Sequence, residues 1–249
     1  MEVHAHSHPS SSSGQRKKWT HYFWEFLMLF LAVFCGFLAE YQLEHKIEKQ
    51  RENKFMQLLA QDLQSDIDSI GKIKVHRQKR NNQADSLLAS LKSGGYKTNG
   101  SNVYYWGRNI SRRRFFYSSD GTLQQLKNSG SLRLIHSQEI VKKIIAYDVI
   151  YRNYVRQLEV EILLVGEYRN AAAKIFDAAV FQTISAENIP YQPEGNPQLF
   201  DASPASINDF SNKVNYLMGA HYGLTQLLDN LSSKAAELLV LIKKEYHLE

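Results

Sequence analysis

The sequence predicts an all-α protein, in which one N-terminal transmembrane helix continues into an up-down-up bundle of long helices with a short-helix tip. Three observations lead to this fold. The 249 residues include only 5 Pro and 13 Gly, so few residues interrupt helices. One long apolar segment lies near the N-terminus. Along most of the remaining chain, apolar residues recur at spacings of three and four, the period of a buried helix face.

The chain begins with a polar tail, residues 1–18, that is rich in Ser and His and poor in hydrophobic residues. This composition predicts disorder. His4, His6 and His8 could bind a transition metal, because imidazole is a common metal ligand. A solvated tail is the alternative, since nothing there would hold the ligands in place. We predict no metal site and no cofactor.

Residues 19–41 form the predicted transmembrane helix. Between Tyr22 and Tyr41 only Glu25 and Glu40 carry charge, and a helix of this length spans a hydrocarbon layer of roughly 30 Å. Aromatic residues at both ends fit the two membrane interfaces. A cleaved signal peptide and a buried soluble helix are alternative interpretations, although no small-x-small cleavage site follows the apolar run cleanly.

Glu25 lies about one turn inside this helix. A carboxylate at that depth could contact a partner helix in the membrane, or handle a proton or cation. Alternatively, it extends to the nearby interface and complements the positive end of the helix dipole.

The orientation of the helix follows from its flanking charges. Arg16, Lys17 and Lys18 form a compact basic block, which favours a cytoplasmic N-terminus and a translocated C-terminal domain. The opposite orientation stays open, because four basic residues follow the helix between positions 46 and 54.

Residues 42–249 form the predicted bundle. Its first helix continues from the membrane segment to Ser93, before two glycines. The second begins after Ser137 as N-cap, and the third begins at Pro204 after Ser203. The apolar seams are Leu59, Leu63, Ile67, Ile70, Leu88 and Leu91; Ile140, Ile144, Tyr147, Tyr151, Tyr154, Leu158, Val165, Tyr168, Ala172, Ile175 and Ala179; and Ile207, Phe210, Val214, Leu217, His221, Leu224, Leu228, Leu231, Ala235, Leu238 and Ile242.

Matched helix lengths predict antiparallel neighbours and hence the up-down-up order. This order puts a tip, residues 94–136, far from the membrane and a loop, residues 184–202, near it. The tip contains one short helix that ends before Gly130. His221, the polar member of the third seam, is predicted to be a core histidine with satisfied hydrogen bonds, and a pH-sensitive or ligand-binding role is the alternative.

Positive charge is concentrated in one part of the chain. The net charge is +5, yet residues 72–114 contain eleven basic residues and one acid, a local charge of +10. The tip alternates aromatic and basic residues as proteins that bind single-stranded nucleic acid do, but a translocated tip meets no nucleic acid. We therefore predict an anionic glycan, a lipid head group or an acidic protein as partner; otherwise the aromatics pack the tip and the arginines are solvated. The candidate binding residues are Tyr104, Tyr105, Trp106, Arg108, Arg112, Arg113 and Arg114.

Two stretches resemble a known group of sequences. The first is KKWTHYFWEFLMLFLAVFCGFLAEYQLEHKIEKQRE at positions 17–52, and the second, shared in outline, is SSDGTLQQLKNSGSLRLI at positions 118–135. They resemble an uncharacterised family of single-pass membrane-anchored proteins common in Bacteroidetes-type bacteria. The resemblance covers under a quarter of the chain. It implies an inner-membrane protein with a periplasmic C-terminal domain, and it transfers no catalytic residue.

The sequence contains no motif typical of serine hydrolases, phosphate-binding loops or zinc proteases. Cys35, the single cysteine, lies in the predicted membrane segment and excludes an internal disulfide. We therefore predict that the protein is not an enzyme. The sequence favours a membrane-anchored structural or interaction protein with an accessory role. Its partner would be another protein or a second copy of the same chain. A ligand-sensing helical bundle that acts through a membrane partner is the alternative.

Overall fold

The computed structural model describes residues 15–184 and 191–248, with side chains from residue 19 onward. The described residues form α-helices and two 3-10 turns and contain no strand, so the predicted all-α class is confirmed. The histidines of the N-terminal tail, His4, His6 and His8, lie outside the described residues. The helices are α1 (Gln15–Ser93), α2 (Gly100–Ile110), α3 (Gly121–Asn128), α4 (Gln138–Ile175), α5 (Ala178–Ile184) and α6 (Pro204–Tyr246).

The chain divides into two units, Met1–Asn53 and Lys54–Glu249. In the first unit, α1 already begins at Gln15, inside the segment predicted as a tail. Helix α1 contains an 18-residue window with a mean hydropathy of 2.0, and none of that window is buried within the protein. By length and composition this helix can serve as a membrane anchor or a signal sequence, and no other helix of the described chain passes the same test.

Most predicted helix ends are confirmed by the geometry of their caps. Helix α1 ends at Ser93, where Gly94 adopts a φ of 77° that a residue with a side chain rarely reaches. Ser137 caps α4 by accepting a hydrogen bond from the Ile140 amide, and Ser203 caps α6 in the same way.

Helix α4 ends earlier than its seam predicts. Phe176 leaves the helix in an extended conformation and packs its ring against Tyr104 and Phe210. Asp177 then accepts a hydrogen bond from the Ala179 amide at the start of α5. Ala179, predicted to be a seam residue, is therefore exposed, because the chain has already turned away from the bundle.

The direction of α4 differs from the predicted up-down-up order. Two pairs join α1 to α4: Asp66 with Tyr147, and farther along both helices, Arg77 with Glu161. Since position numbers rise together in the two helices, α1 and α4 are parallel. Helix α6 is antiparallel to both. The pairs Lys143–Glu237 and Lys174–Asp209 indicate this for α4, and the pairs Lys74–Asp229 and Arg77–Thr225 indicate it for α1. The order is up-up-down.

The segment between α1 and α4, predicted as a distal tip, returns along the whole bundle instead. As residue numbers rise along this segment, the residue numbers of its partners in α4 fall. Tyr168 donates a hydrogen bond to the Gly107 carbonyl, Tyr154 accepts one from the Phe116 amide, and Lys127 pairs with Asp148. We call residues 94–137 the crossover. An extended chain covers about 3.3 Å per residue, so the non-helical part between α2 and α3 provides much of the length.

The structure also places the predicted membrane-proximal loop at a different position. Its described part, residues 191–202, lies beside the start of the crossover. Asn196 accepts a hydrogen bond from the Gly100 amide, and the Gln198 carbonyl accepts one from the Tyr104 hydroxyl. This loop is thus at the end of the bundle where α1 stops, opposite to the end where α1 enters at Lys54.

A cross-linking experiment tests the up-up-down order. In a Cys35→Ser background, Gln57→Cys and Lys243→Cys should be joined by a short bismaleimide, because the two residues line one surface groove between α1 and the end of α6. The control pair is Gln57→Cys with Asn208→Cys, which lies about 50 Å away along α6. Electrophoretic mobility under denaturing conditions measures the product. Cross-linking of the control pair alone would restore the up-down-up order.

Candidate functional site

Four charged or ionisable side chains occupy seam positions inside the bundle. Arg77 and Arg80 of α1, Glu161 of α4 and His221 of α6 are each at most 1% exposed. They continue the spacing of the apolar seams, since Arg77 follows Ile73 by four positions and Glu161 follows Leu158 by three. The long helices therefore meet at these four residues, which we call the polar layer.

Glu161 is the acceptor of the polar layer. Its Oε1 atom lies 3.1 Å from Nδ1 of His221, 3.3 Å from Nη2 of Arg77 and 3.9 Å from Nη2 of Arg80. Burial acts to raise the pKa of Glu161, but the His221 hydrogen bond and the two arginine charges outweigh it. The pKa falls to about 2, so Glu161 is a carboxylate at neutral pH.

His221 is a buried histidine whose two ring nitrogens both face acceptor oxygens. Nδ1 meets Glu161, and Nε2 lies 3.3 Å from the backbone carbonyl oxygen of Arg77. Burial lowers the pKa of His221, and the Arg77 and Arg80 charges lower it further against the opposing effect of Glu161. His221 is therefore neutral at pH 7 and donates its Nδ1 proton to Glu161. The prediction of a core histidine is confirmed by its burial, but only Nδ1 donates a hydrogen bond, because the neutral ring has no proton on Nε2 for the Arg77 carbonyl.

The two arginines of the layer differ in their hydrogen bonds, although both are 1% exposed. Arg77 donates to Thr225 Oγ1 at 3.0 Å and to the His221 carbonyl at 2.8 Å, in addition to Glu161. Arg80 donates no hydrogen bond from any of its three guanidinium nitrogens to the described residues. Burial lowers the pKa of Arg80 to about 10, so it keeps its positive charge at neutral pH.

Arg113, on the crossover, adds a second charge beside Arg80. The guanidinium group of Arg113 lies over the Phe115 ring at 4.7 Å, and its Nε and Nη1 atoms are buried without a hydrogen-bond partner among the described residues. Burial lowers the pKa of Arg113, and the Arg77 and Arg169 charges contribute. The Arg113 charge in turn lowers the pKa of Arg80.

The remaining predicted arginines lie nearer the surface. Arg114 is exposed, whereas Arg108 and Arg112 are half-buried. Burial lowers the pKa of Arg108, followed by the charges of Arg112 and Arg169. Arg169 donates to the Ser111 carbonyl at 3.1 Å and so ties this basic segment, residues 108–114, to α4. The structure thus gathers the predicted arginines on one side of the bundle.

The predicted aromatic residues are not brought together as a stacking surface. Tyr104 is fully buried, and its hydroxyl group donates to the Gln198 carbonyl and accepts from the Asp177 amide. Tyr105 and Trp106 are half-buried, and Trp106 packs against the core. Tyr104 is a core residue because α2 lies against Phe176, where Gly107 has no room for a side chain. Glu25 is exposed in the first unit.

The sequence contained an overlooked signal for the polar layer. Arg77, Arg80 and Glu161 fill positions in the three-four spacing at which an apolar residue is expected. Charged residues are usually assigned to solvated faces, so this substitution pattern is the sign of a buried ionic layer. Histidine, cysteine and acidic side chains of the described residues form no group that could hold a metal ion.

The chain matches no protein-family model, no curated protein and no solved structure. The resemblance of residues 17–52 and 118–135 to Bacteroidetes-type membrane proteins stays a prediction.

The polar layer predicts a large effect of one uncharged substitution. Glu161→Gln should lower the free energy of unfolding at pH 7 by about 3 to 5 kcal/mol, because it leaves Arg77 and Arg80 buried without a counter-charge. Glu159→Gln, on the exposed face of the same helix, should change it by at most about 0.5 kcal/mol. Denaturant titration of the full chain in detergent, followed by circular dichroism, measures both.

A pH series gives the same experiment a second readout. The pKa of Glu161 is lower in the folded protein, about 2, than its ordinary value of 4.5. Its contribution to stability is therefore complete above pH 4.5 and is lost as pH falls toward 2. This part of the pH dependence should be missing in Glu161→Gln. Equal losses in the Glu161 and Glu159 variants would contradict the ionic layer.

Proposed function

We propose that this protein is a membrane-anchored helical interaction protein, which presents its basic segment to an anionic macromolecular partner. The observation that carries the proposal is the grouping of Arg108, Arg112 and Arg114 at the surface of one bundle, with Arg169 beside them. Clustered arginines attract anionic groups and hold them with paired hydrogen bonds.

The choice of partner follows from the exposed atoms of the segment. Arg114 and the aromatic ring of Tyr117 are exposed, while Tyr104 and Phe116 are buried in the core. Stacking on a series of bases would need several exposed rings, so nucleic acid fits this surface poorly. An acidic protein fits it better, since a carboxylate can accept two parallel hydrogen bonds from one arginine. Recovery of an anionic glycan or a lipid in the binding experiment would identify one of these as the partner instead.

The proposed location is a bacterial inner membrane, with α1 as a single-pass anchor and the bundle in the periplasm. Two features support it. The apolar window of α1 is exposed along its length, which is unfavourable in water and favourable in a bilayer. The basic block Arg16 to Lys18 precedes that window, as is typical of a cytoplasmic N-terminus.

Charge reversal tests the basic segment. Arg112→Glu with Arg114→Glu should reduce recovery of a partner at least tenfold when the full-length protein is pulled down from native membranes. The melting curve should stay nearly unchanged, because exposed or half-buried surface charges contribute about 0.5 kcal/mol each. Binding to the unmodified protein should weaken as salt rises from 0.1 to 1 M, since the screening length falls from about 10 to about 3 Å.

The control for this experiment makes the same change of charge elsewhere. Lys142→Glu with Lys244→Glu alters two exposed lysines at the opposite end of the bundle and should leave recovery intact. If the arginine variant retains its partner with the same salt dependence, the basic segment is not the contact surface.

Fusion proteins test the proposed topology. Alkaline phosphatase fused after Glu249 should be active, and a fluorescent protein that folds only in the cytoplasm should be dark at the same position. The protein should also remain with membranes after a carbonate wash and retain residues 4–18 in N-terminal sequencing. The reverse fusion pattern would place the bundle in the cytoplasm, and a mature N-terminus beyond Ala39 would identify α1 as a signal sequence.

A further inference from the structure

Arg80 presents an unusual combination of burial, charge and missing hydrogen bonds. It is 1% exposed, and its Nε, Nη1 and Nη2 atoms are buried and donate to no described residue. Arg77, one turn away on the same helix and equally buried, makes hydrogen bonds to Thr225, His221 and Glu161. The environment therefore supplies hydrogen-bond acceptors for one guanidinium group and supplies none for its neighbour. Buried guanidinium groups normally have partners, since an unpaired one is costly.

The charges around Arg80 do not balance. Glu161 is the carboxylate of the layer, and it is already engaged by Arg77 and His221 at 3.3 and 3.1 Å. Its distance of 3.9 Å from Arg80 exceeds a hydrogen bond. Arg113 adds a positive charge that acts on Arg80, and its buried Nε and Nη1 atoms also have no partner among the described residues. Among the described residues, the charges of three guanidinium groups thus interact with one carboxylate, that of Glu161.

The crossover holds these donors together. His76, one turn before Arg80 on α1, lies against the backbone of Arg112, so the crossover passes over α1 at this point. Arg113 is the next residue along it, and Arg169 fixes the preceding Ser111 to α4. Arg80 and Arg113 are therefore positioned from two separate elements, which is the arrangement of a built site and differs from a flexible surface lysine cluster.

We propose that Arg80 and Arg113 bind a multivalent oxyanion, a phosphate or sulfate group, inside the bundle. Water molecules could accept the unused hydrogen bonds, but they would leave the excess positive charge uncompensated. An oxyanion would accept these hydrogen bonds and would also compensate the positive charge. The planar fork of a guanidinium group matches two oxygens of a tetrahedral anion, so Arg80 and Arg113 together can hold several oxygens of one group. This site takes Arg113 from the basic segment but uses none of Arg108, Arg112 and Arg114, on which the proposed surface contact rests.

Thermal unfolding of the full chain in a nonionic detergent tests the site with inorganic phosphate as probe. The protein is first exchanged into sodium chloride and then melted with phosphate, with sulfate and with chloride at equal ionic strength. At a phosphate concentration a hundred times the dissociation constant, we expect Tm to rise by roughly 5 to 10 °C above the chloride value. Phosphate and sulfate also stabilise proteins by exclusion from their surfaces, so variants must separate the two effects.

Three variants provide that separation. Arg80→Met should lose the difference between phosphate and chloride beyond the general salt effect, and it should fold in chloride because it removes a buried charge that donates no hydrogen bond to the described residues. Arg113→Met should reduce the difference. Arg156→Met, the matched control, removes an exposed arginine of α4 and should retain the full difference. If Arg80→Met retains the phosphate effect, or if the unmodified protein melts equally in phosphate and chloride, the proposal is wrong.

A direct measurement covers the case in which Arg80→Met does not fold. Isothermal titration of the unmodified protein and of Arg156→Met with phosphate should give saturable binding of about one ion per chain, and absence of binding would refute the site. Extraction of the purified protein then distinguishes the source of the group. Water-soluble phosphate or sulfate indicates a free ion, and phosphorus in the organic phase indicates a lipid head group.

Discussion

The bundle depends on one buried carboxylate, that of Glu161. Its Oε1 atom meets Arg77 of α1 and His221 of α6, so a single atom connects the three long helices. Apolar seams alone allow helices to slide by a heptad, because one layer of Leu or Ile resembles the next. A buried charge pairs in only one alignment, since any displacement leaves it uncompensated. The polar layer therefore fixes the alignment in which the apolar layers pack.

The parallel pair of α1 and α4 follows from how the crossover is bound. Asp66, on the same seam of α1, accepts hydrogen bonds from the Ser119 amide, the Ser118 hydroxyl and the Tyr147 hydroxyl. One carboxylate thus joins the crossover to both helices beside it. Phe116 contributes its ring to the core against Tyr154. The crossover is a buried component of the fold, and its path requires α4 to start at the end of the bundle where α1 enters.

Helix type and most helix ends could be predicted from the sequence, because Ser137, Ser203 and the glycine after Ser93 act through local backbone geometry. The relative directions of the long helices could not be predicted, since the three-four spacing of a seam is the same in either direction along a helix. Tyr104 was misplaced for a related reason: whether an aromatic residue in a connection is exposed depends on what the connection packs against. Arg80 was missed because its charge suggests a solvated face, although its position in the seam already indicated burial.

The polar layer also has a consequence for biosynthesis. Arg77 and Thr225 are separated by 148 positions, so the partners that α6 supplies to Arg77 are made long after α1. During synthesis, the facing seams of α1 and α4 remain uncovered until α6 has left the ribosome. Contacts of such long range slow folding, and the uncovered seam is a surface on which chaperones bind or chains aggregate. The facing seams of α1 and α4 are therefore exposed to chaperones and to other chains until α6, Pro204–Tyr246, has been made.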